Sequence, residues 1–202
     1  MKNIYRSHLK RSFDIAGSGL GLAVLGLPVL TLAFACAAIQ GTSPFYCQKR
    51  IGRNQDTFTI YKIKTMKDGI GPKVDGIELP SMDRITRVGK FLRKSKIDEL
   101  PQLINILKGD MSFVGPRPVT KLNTALAADK KRHTVRPGLT GLAQISNSQT
   151  LPVAERIRLD HEYVDKLSFT QDLKTLLLTP KRILDQANAP LFGDFSHLNK
   201  KM

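Results

Sequence analysis

The sequence has no tryptophan, and Phe and Tyr together make up only 6% of its 202 residues. With no aromatics interleaved among its cations it offers no platform for stacked bases, which counts against nucleic acid as a partner. Only two cysteines occur, Cys36 and Cys47. They form no C-x-x-C pair, and Cys36 lies inside an apolar run, so a disulfide framework is not expected and a reducing compartment is. The four histidines, His8, His133, His161 and His197, are scattered without metal-ligand spacing, which argues against a zinc centre. There is no Gly-x-x-x-x-Gly-Lys-[Ser/Thr] loop and no Gly-x-Gly-x-x-Gly after a strand, so a nucleotide would not be held in P-loop or Rossmann fashion. Acidic residues are also scarce, 17 against 32 Lys and Arg, for a formal charge of +15. That imbalance points to a polyanionic partner, nucleic acid, an anionic membrane surface or phosphorylated small molecules, among which charge alone does not choose.

One long stretch lacks charge altogether, from Ile15 to Ile39. Twenty-five helical residues extend about 37 Å against a hydrocarbon thickness of about 30 Å, enough to span. Basic residues stand on both sides, Lys2, Arg6, Lys10 and Arg11 before it and Lys49, Arg50 and Arg53 after it. A simple span gives no reason for two positive flanks. Pro28, near the centre, costs a straight helix roughly 3 kcal/mol. The run is therefore read as a re-entrant helix-break-helix with both ends on the cytoplasmic side, its freed carbonyls helped by Ser18 or Thr31. A single kinked span and a signal sequence are the competing readings.

The length suits one compact domain with appendages. The expected division is an anchor over residues 1–40, a catalytic domain over 41–185 and a tail over 186–202. Thr57 to Met66 is rich in β-branched and aromatic residues and predicts a strand. Gly69, Gly71, Pro72, Gly76 and Pro80 punctuate a loop over 67–82. From Arg84 to Lys94, Ile85, Val88, Phe91 and Leu92 recur at helical spacing opposite Arg84, Arg87, Lys90 and Lys94, which suits an interfacial helix or an ordinary solvated one. Leu100, Leu103, Ile104 and Leu107 mark another helix, with Pro101 in its first turn and Gly109 at its stop. Val153, Ile157, His161 and Val164 mark a further one, and a leucine-rich helix is expected from near Asp172 to about Pro180. The fold class expected is α+β: interfacial amphipathic helices and a small β element in a mainly helical catalytic domain.

Asp98 and Glu99 thus stand at a helix start, where a carboxylate pair can be a cap, a metal ligand or a nucleophile with an assisting group. Ser95 with Asp98 even fits a loose capping box. Downstream, Gly115-Pro-Arg-Pro118 fixes Arg117 between two prolines, and Arg136-Pro-Gly-Leu-Thr-Gly141 sets a second cation beside glycines. Each alone can be only a rigid turn. Together they supply carboxylates that could hold Mg²⁺ and fixed cations, the parts of phosphoryl transfer.

The order of these motifs resembles the bacterial sugar transferase family, the small monotopic polyprenyl-phosphate phosphoglycosyl transferases. The motifs are Lys10-Arg-Ser-Phe-Asp14, Gln48-Lys-Arg-Ile-Gly52, Tyr61-Lys-Ile-Lys-Thr-Met66, Arg84-Ile-Thr-Arg-Val-Gly89, Asp98-Glu-Leu-Pro-Gln-Leu-Ile-Asn105, Gly109-Asp-Met-Ser-Phe-Val-Gly-Pro-Arg-Pro118 and Arg136-Pro-Gly-Leu-Thr-Gly141. The resemblance runs from about residue 8 to 185. It implies an enzyme of the bacterial inner membrane, acting on the cytoplasmic face, that moves a sugar 1-phosphate from a UDP-sugar to undecaprenyl phosphate with release of UMP, assisted by Mg²⁺. It further implies Asp98 as nucleophile and Mg²⁺ contact, Glu99 as assisting base or metal neighbour, and Lys64, Arg117 and Arg136 as phosphate contacts. Two departures stand out. Leu27 precedes Pro28 where many members carry a small polar residue, and Ile145-Ser-Asn-Ser-Gln-Thr150 follows Gln144 where the family often runs toward Gly-Arg-Asn. A membrane-tethered basic binding module and a glycosyl transferase releasing UDP are the rival functions. A homodimer is left open.

Overall fold

The computed structural model describes residues 5–67, 73–74, 77–78, 85–146 and 151–187. After a π-helical turn at Tyr5–Leu9, the apolar run lies within helix α1, Lys10–Gln40, which ends where Gly41 takes the left-handed conformation and its N–H closes on the Ala37 carbonyl. Pro28 sits inside this helix, and the helix continues through it. The expected break is thus replaced by one helix. Thr31 Oγ1 donates to the Leu27 carbonyl at 3.0 Å and Ser18 Oγ to the Asp14 carbonyl, so neither serves the Val24 carbonyl that Pro28 leaves without a donor. Packing explains the continuity. Asp14 accepts from Ser112 and from the Phe113 N–H, Leu22 packs toward Leu103, Ala33 and Cys36 pack with Ile63 and Leu92, and Gln40 accepts from Thr86. These positions form one stripe at helical spacing, so both halves are held on one body despite the lost hydrogen bond. The opposite face exposes Phe13, Leu20, Val24, Leu27, Leu30, Phe34 and Ile39. By length and composition this helix is able to cross a membrane.

Strands β1, Phe45–Ile51, and β2, Thr57–Ile63, pair antiparallel in the register Phe45↔Ile63 to Ile51↔Thr57. The connection turns at Asn54 and Gln55, both at positive φ. The strand expected to reach Met66 stops at Ile63, and Met66 makes only an isolated bridge to Ile85. A two-residue ladder joins Lys73–Val74 to Ile77–Glu78. Most of the expected loop over 67–82 lies outside the described residues, as do residues 147–150 and the tail beyond Ala187.

Helix α2, Arg87–Ser95, begins at Thr86, whose hydroxyl accepts from the Gly89 N–H at 2.9 Å. Its apolar residues divide: Leu92 is fully buried, whereas Phe91 is exposed. Lys96, left-handed at φ 60, turns the chain into a 3₁₀ helix, Ile97–Gln102, that leads to α3, Leu103–Lys108. Ser95 donates to the carbonyls of Phe91 and Leu92 behind it, so it closes α2 and caps nothing ahead. Gly109, at φ 98, ends α3 as its sequence position suggests. Next come β3, Ser112–Val114, helix α4, Thr124–Ala128, and β4, Gly138–Thr140, which pairs parallel with β3. Helices α5, Leu142–Ile145, α6, Val153–Lys166, and α7, Phe169–Ala187, complete the described residues. The sequence predicts a stop near Pro180, but α7 runs through it. Pro180 and Leu176 both lie on the exposed side, so the carbonyl deprived of its donor is not sealed in the core.

Candidate active site

Because Lys96 reverses the backbone just before them, Asp98 and Glu99 turn inward and are only 6% and 7% exposed. Two adjacent carboxylates survive burial only among cations. Glu99 Oε1 accepts from Lys62 Nζ at 2.7 Å and from Arg117 Nη2 at 3.0 Å. Lys62 projects from β2. Arg117 follows β3, and its backbone is fixed from behind: Arg132 Nη2 donates to the Arg117 carbonyl at 2.7 Å, while Arg132 Nε is paired with Asp160 at 3.0 Å in the interior. Gly115, two residues earlier, lies against the Arg136 carbonyl so closely that a Cβ would collide with it, which lets the two loops after and before the parallel strands meet.

The two carboxylates are pushed apart electrostatically. Burial raises the Asp98 carboxyl to about 6, with the Glu99 charge adding to the rise and Lys62, Lys96 and Arg93 opposing it. For Glu99, burial acts upward as well, but the charges of Lys62, Arg117 and Lys96 outweigh it and hold the group well below the usual carboxylate range. Asp98 Oδ1 is buried and has no hydrogen-bond partner among the described residues. Glu99 is thus a fixed anion clamped by two cations, and Asp98 is a less committed carboxylate beside it.

Glu99 and Arg117 also line a cavity of about 440 Å³, together with Lys96, Gln144, Arg156 and Arg182 on its polar side and apolar residues including Leu139 and Leu176. Asp98 is not part of that wall. Among the sequence-derived candidates the structure therefore gathers Asp98, Glu99 and Arg117. It does not gather Lys64, whose Nζ donates to Ser43 Oγ at 3.2 Å, or Arg136, whose Nε donates to the Gly109 carbonyl at 2.8 Å beside a separate small cavity. The sequence reading missed Lys62, Arg50 and Arg93. Arg50, on β1, donates to the Pro118 carbonyl at 3.4 Å and is lowered to about 10 by burial and by repulsion from Arg117. Arg93 Nε donates to Thr65 Oγ1 at 2.8 Å. Lys62 and Arg50 were visible as residues of quoted motifs. The pairing of β1 with β2 was the missing information.

Among the described residues no group of three His, Cys, Asp or Glu side chains is placed to hold a metal. Magnesium asks less, since one or two carboxylates with waters and substrate phosphates complete its octahedron. Asp98, with a buried oxygen lacking a partner, fits that demand. Glu99 has Oε1 already shared by two cations, which leaves Oε2 as its oxygen for an ion.

Comparison with known proteins identifies the family. The sequence pattern of the bacterial sugar transferase family matches residues 5–186. An uncharacterized sugar transferase of Bacillus subtilis, EpsL, is 42% identical over 179 residues, which is 87% of each chain. The UDP-glucose:undecaprenyl-phosphate glucose-1-phosphate transferase of Caulobacter vibrioides is 38% identical over 89% of this chain and 71% of its own. The undecaprenyl-phosphate glucose phosphotransferase of Komagataeibacter xylinus is 37% identical over 89% of this chain, which spans only 36% of that longer protein. The chain belongs to the bacterial sugar transferase family and is a sugar-phosphate transferase.

Proposed function

We propose that this enzyme transfers a sugar 1-phosphate from a UDP-sugar to undecaprenyl phosphate, releasing UMP, through an aspartyl sugar-phosphate on Asp98. The observation that carries the reading is the asymmetry of the pair: Asp98 has an oxygen without a partner, while Glu99 is clamped by Lys62 and Arg117. In the first step an Asp98 oxygen attacks the phosphorus that bears the sugar. The bond from that phosphorus to the bridging oxygen breaks, and UMP leaves with the electron pair. In the second step an oxygen of undecaprenyl phosphate attacks the same phosphorus, the acyl–phosphate bond breaks and the Asp98 carboxylate is regenerated. Lys62 and Arg117 supply fixed positive charge where phosphate charge shifts, and Glu99 holds those two cations in place. Mg²⁺, when bound, would be held by Asp98 and would offset the diphosphate charge.

The α1 packing supports a monotopic seat at the cytoplasmic face. Both ends of the helix are fastened to one body, at Ser112 and at Thr86, so a crossing that parts the ends would tear one contact. The exposed face of α1 and the exposed Phe169, Leu173, Leu177 and Leu184 of α7 supply apolar area for one leaflet. Two basic flanks then stay with the body, the side favoured for Lys and Arg.

The test is to incubate the detergent-solubilised chain with Mg²⁺, undecaprenyl phosphate and a panel starting with UDP-glucose and UDP-galactose, and to measure the nucleotide released. UMP is expected. UDP would identify a glycosyl transferase instead, and no nucleotide from any sugar would defeat the proposal. For the membrane seat, cysteines introduced at residues 3 and 200 should both resist a periplasmic thiol reagent. Labelling of residue 3 alone would establish a span.

A further inference from the structure

Arg136 does not face the carboxylates, and its actual surroundings are unusual. It borders a cavity of about 50 Å³ together with Arg6, Lys10, Arg11 and Arg53, against a single carboxylate, Asp14. Two of these six groups are already satisfied. Lys10 pairs with Asp172 at 2.5 Å, and Asp14 Oδ1 accepts from Ser112 Oγ and the Phe113 N–H, both at 3.0 Å. What remains is an excess of guanidinium charge around a small hollow.

Part of that charge has a structural use. Arg11 donates to the Ile106 and Leu107 carbonyls at 2.6 and 2.8 Å, and Arg136 Nε to the Gly109 carbonyl, so both cap the end of α3. Capping does not account for Arg53, which stands in the β1–β2 connection, is exposed and has no side-chain hydrogen-bond partner among the described residues. Nor does it engage the two Nη groups of Arg136. Burial lowers the Arg136 guanidinium from its ordinary value, and the charges of Arg11 and Arg53 lower it further. Like charges held together without a counter-charge are destabilising unless an anion joins them. Guanidinium forks match the oxygens of a phosphate group.

Position along the chain narrows the source. Asp14 immediately precedes the uncharged run that begins at Ile15. Phe13 and Phe169, exposed at 56% and 49% with ring centroids 5.7 Å apart, flank this end of α1 and suit the boundary between headgroups and acyl chains.

We propose that Arg6, Arg11, Arg53 and Arg136 form a second phosphate site, separate from the catalytic cavity, that takes the phosphate of an anionic lipid headgroup. The proposal rests on the membrane seat described above and not on the reaction, so it is tested without sugar donor. The detergent-solubilised full chain is exchanged with dioctanoyl phosphatidylglycerol, dioctanoyl phosphatidylcholine or inorganic phosphate, and ligand retained per chain is read by native mass spectrometry. One phosphatidylglycerol is expected, with phosphatidylcholine at least tenfold weaker. Arg53→Glu and Arg6→Glu should each weaken retention at least tenfold with an unchanged melting temperature, and Lys121→Glu, an equal charge change elsewhere, should not. Unchanged retention in Arg53→Glu, or equal loss in Lys121→Glu, would overturn the site. Inorganic phosphate that displaces the lipid at equal concentration would overturn the lipid assignment and give the pocket to free phosphate. Failure of UMP release with lipid retention intact would count against the catalytic proposal alone.

Discussion

Removing the Lys62 charge tests whether Glu99 is a fixed anion clamped by two cations. Lys62→Met keeps the length of the stem and deletes the ammonium. The pair is enclosed, with side chains 16% and 10% exposed and 2.7 Å between N and O. Breaking an enclosed pair from one side costs about 3–5 kcal/mol, and because Arg117 stays on the same oxygen the lower end, about 3 kcal/mol, applies. For a chain of this size that lowers the melting temperature by roughly 6–12 °C. Glu99→Gln leaves Lys62 and Arg117 without their anion and should cost a similar amount. If the two changes were independent the double variant would lose about 6 kcal/mol. It should instead lose only about 3–4 kcal/mol, since removing both charges leaves neither stranded, a coupling of about 2–3 kcal/mol. Denaturant unfolding of the four proteins in one detergent measures the cycle. Additivity within about 0.5 kcal/mol would refute the clamp and return Glu99 to the role of metal ligand or base.

Asp98→Asn should abolish covalent sugar-phosphate labelling and reduce UMP release by on the order of 10³-fold or more, followed by intact mass and nucleotide assay; a retained label would remove Asp98 as nucleophile. Because burial raises the Asp98 carboxyl to about 6, its reactive anion is lost as pH falls through that value. Single-turnover UMP release should rise through pH 6 and level off above pH 7, and a profile flat down to pH 4.5 would contradict it. Asp160→Asn strands the buried Arg132 and should destabilise the chain by about 3–5 kcal/mol. Because Arg132 also holds the Arg117 carbonyl, turnover at permissive temperature should fall as well, and a fall in stability alone would detach that support from the site. Leu92→Ala, at a fully buried contact between α2 and α1, should cost about 2–5 kcal/mol in a denaturant titration.

Elements with local signals were legible in the sequence. The helical spacing of Val88, Phe91 and Leu92, the Gly109 stop and the helical spacing of Val153 to Val164 depend on neighbours a few residues away, and the structure places helices there. Asp98, Glu99 and Arg117 could be named because two lie in one turn and the third is held between prolines. Choosing Lys62 over Lys64 required knowing that β2 ends at Ile63, where the Lys64 N–H goes to the Pro44 carbonyl and its side chain follows the loop toward Ser43. The Arg136 motif looks ready for an anion but does not say where the side chain sits; the parallel pairing of β3 with β4 brings it to the end of α3. Pro28 and Pro180 read as breaks because a local rule prices the missing hydrogen bond. It cannot price packing along the whole of α1 or the exposed setting of α7.

The stripe on α1 also governs how this enzyme can be made and handled. Ala33 and Cys36 close one hydrophobic cluster with Ile63 and Leu92, and Leu22 packs on another that holds Ile60, Leu103 and Ile106. A fragment lacking residues up to Gln40 would open both clusters to water. The anchor is therefore not a tether that can be severed to yield a soluble catalyst. On the proposed membrane seat, inserting the helix and finishing the core would be one event, and Asp98 and Glu99 would be gathered only once the chain has met its bilayer.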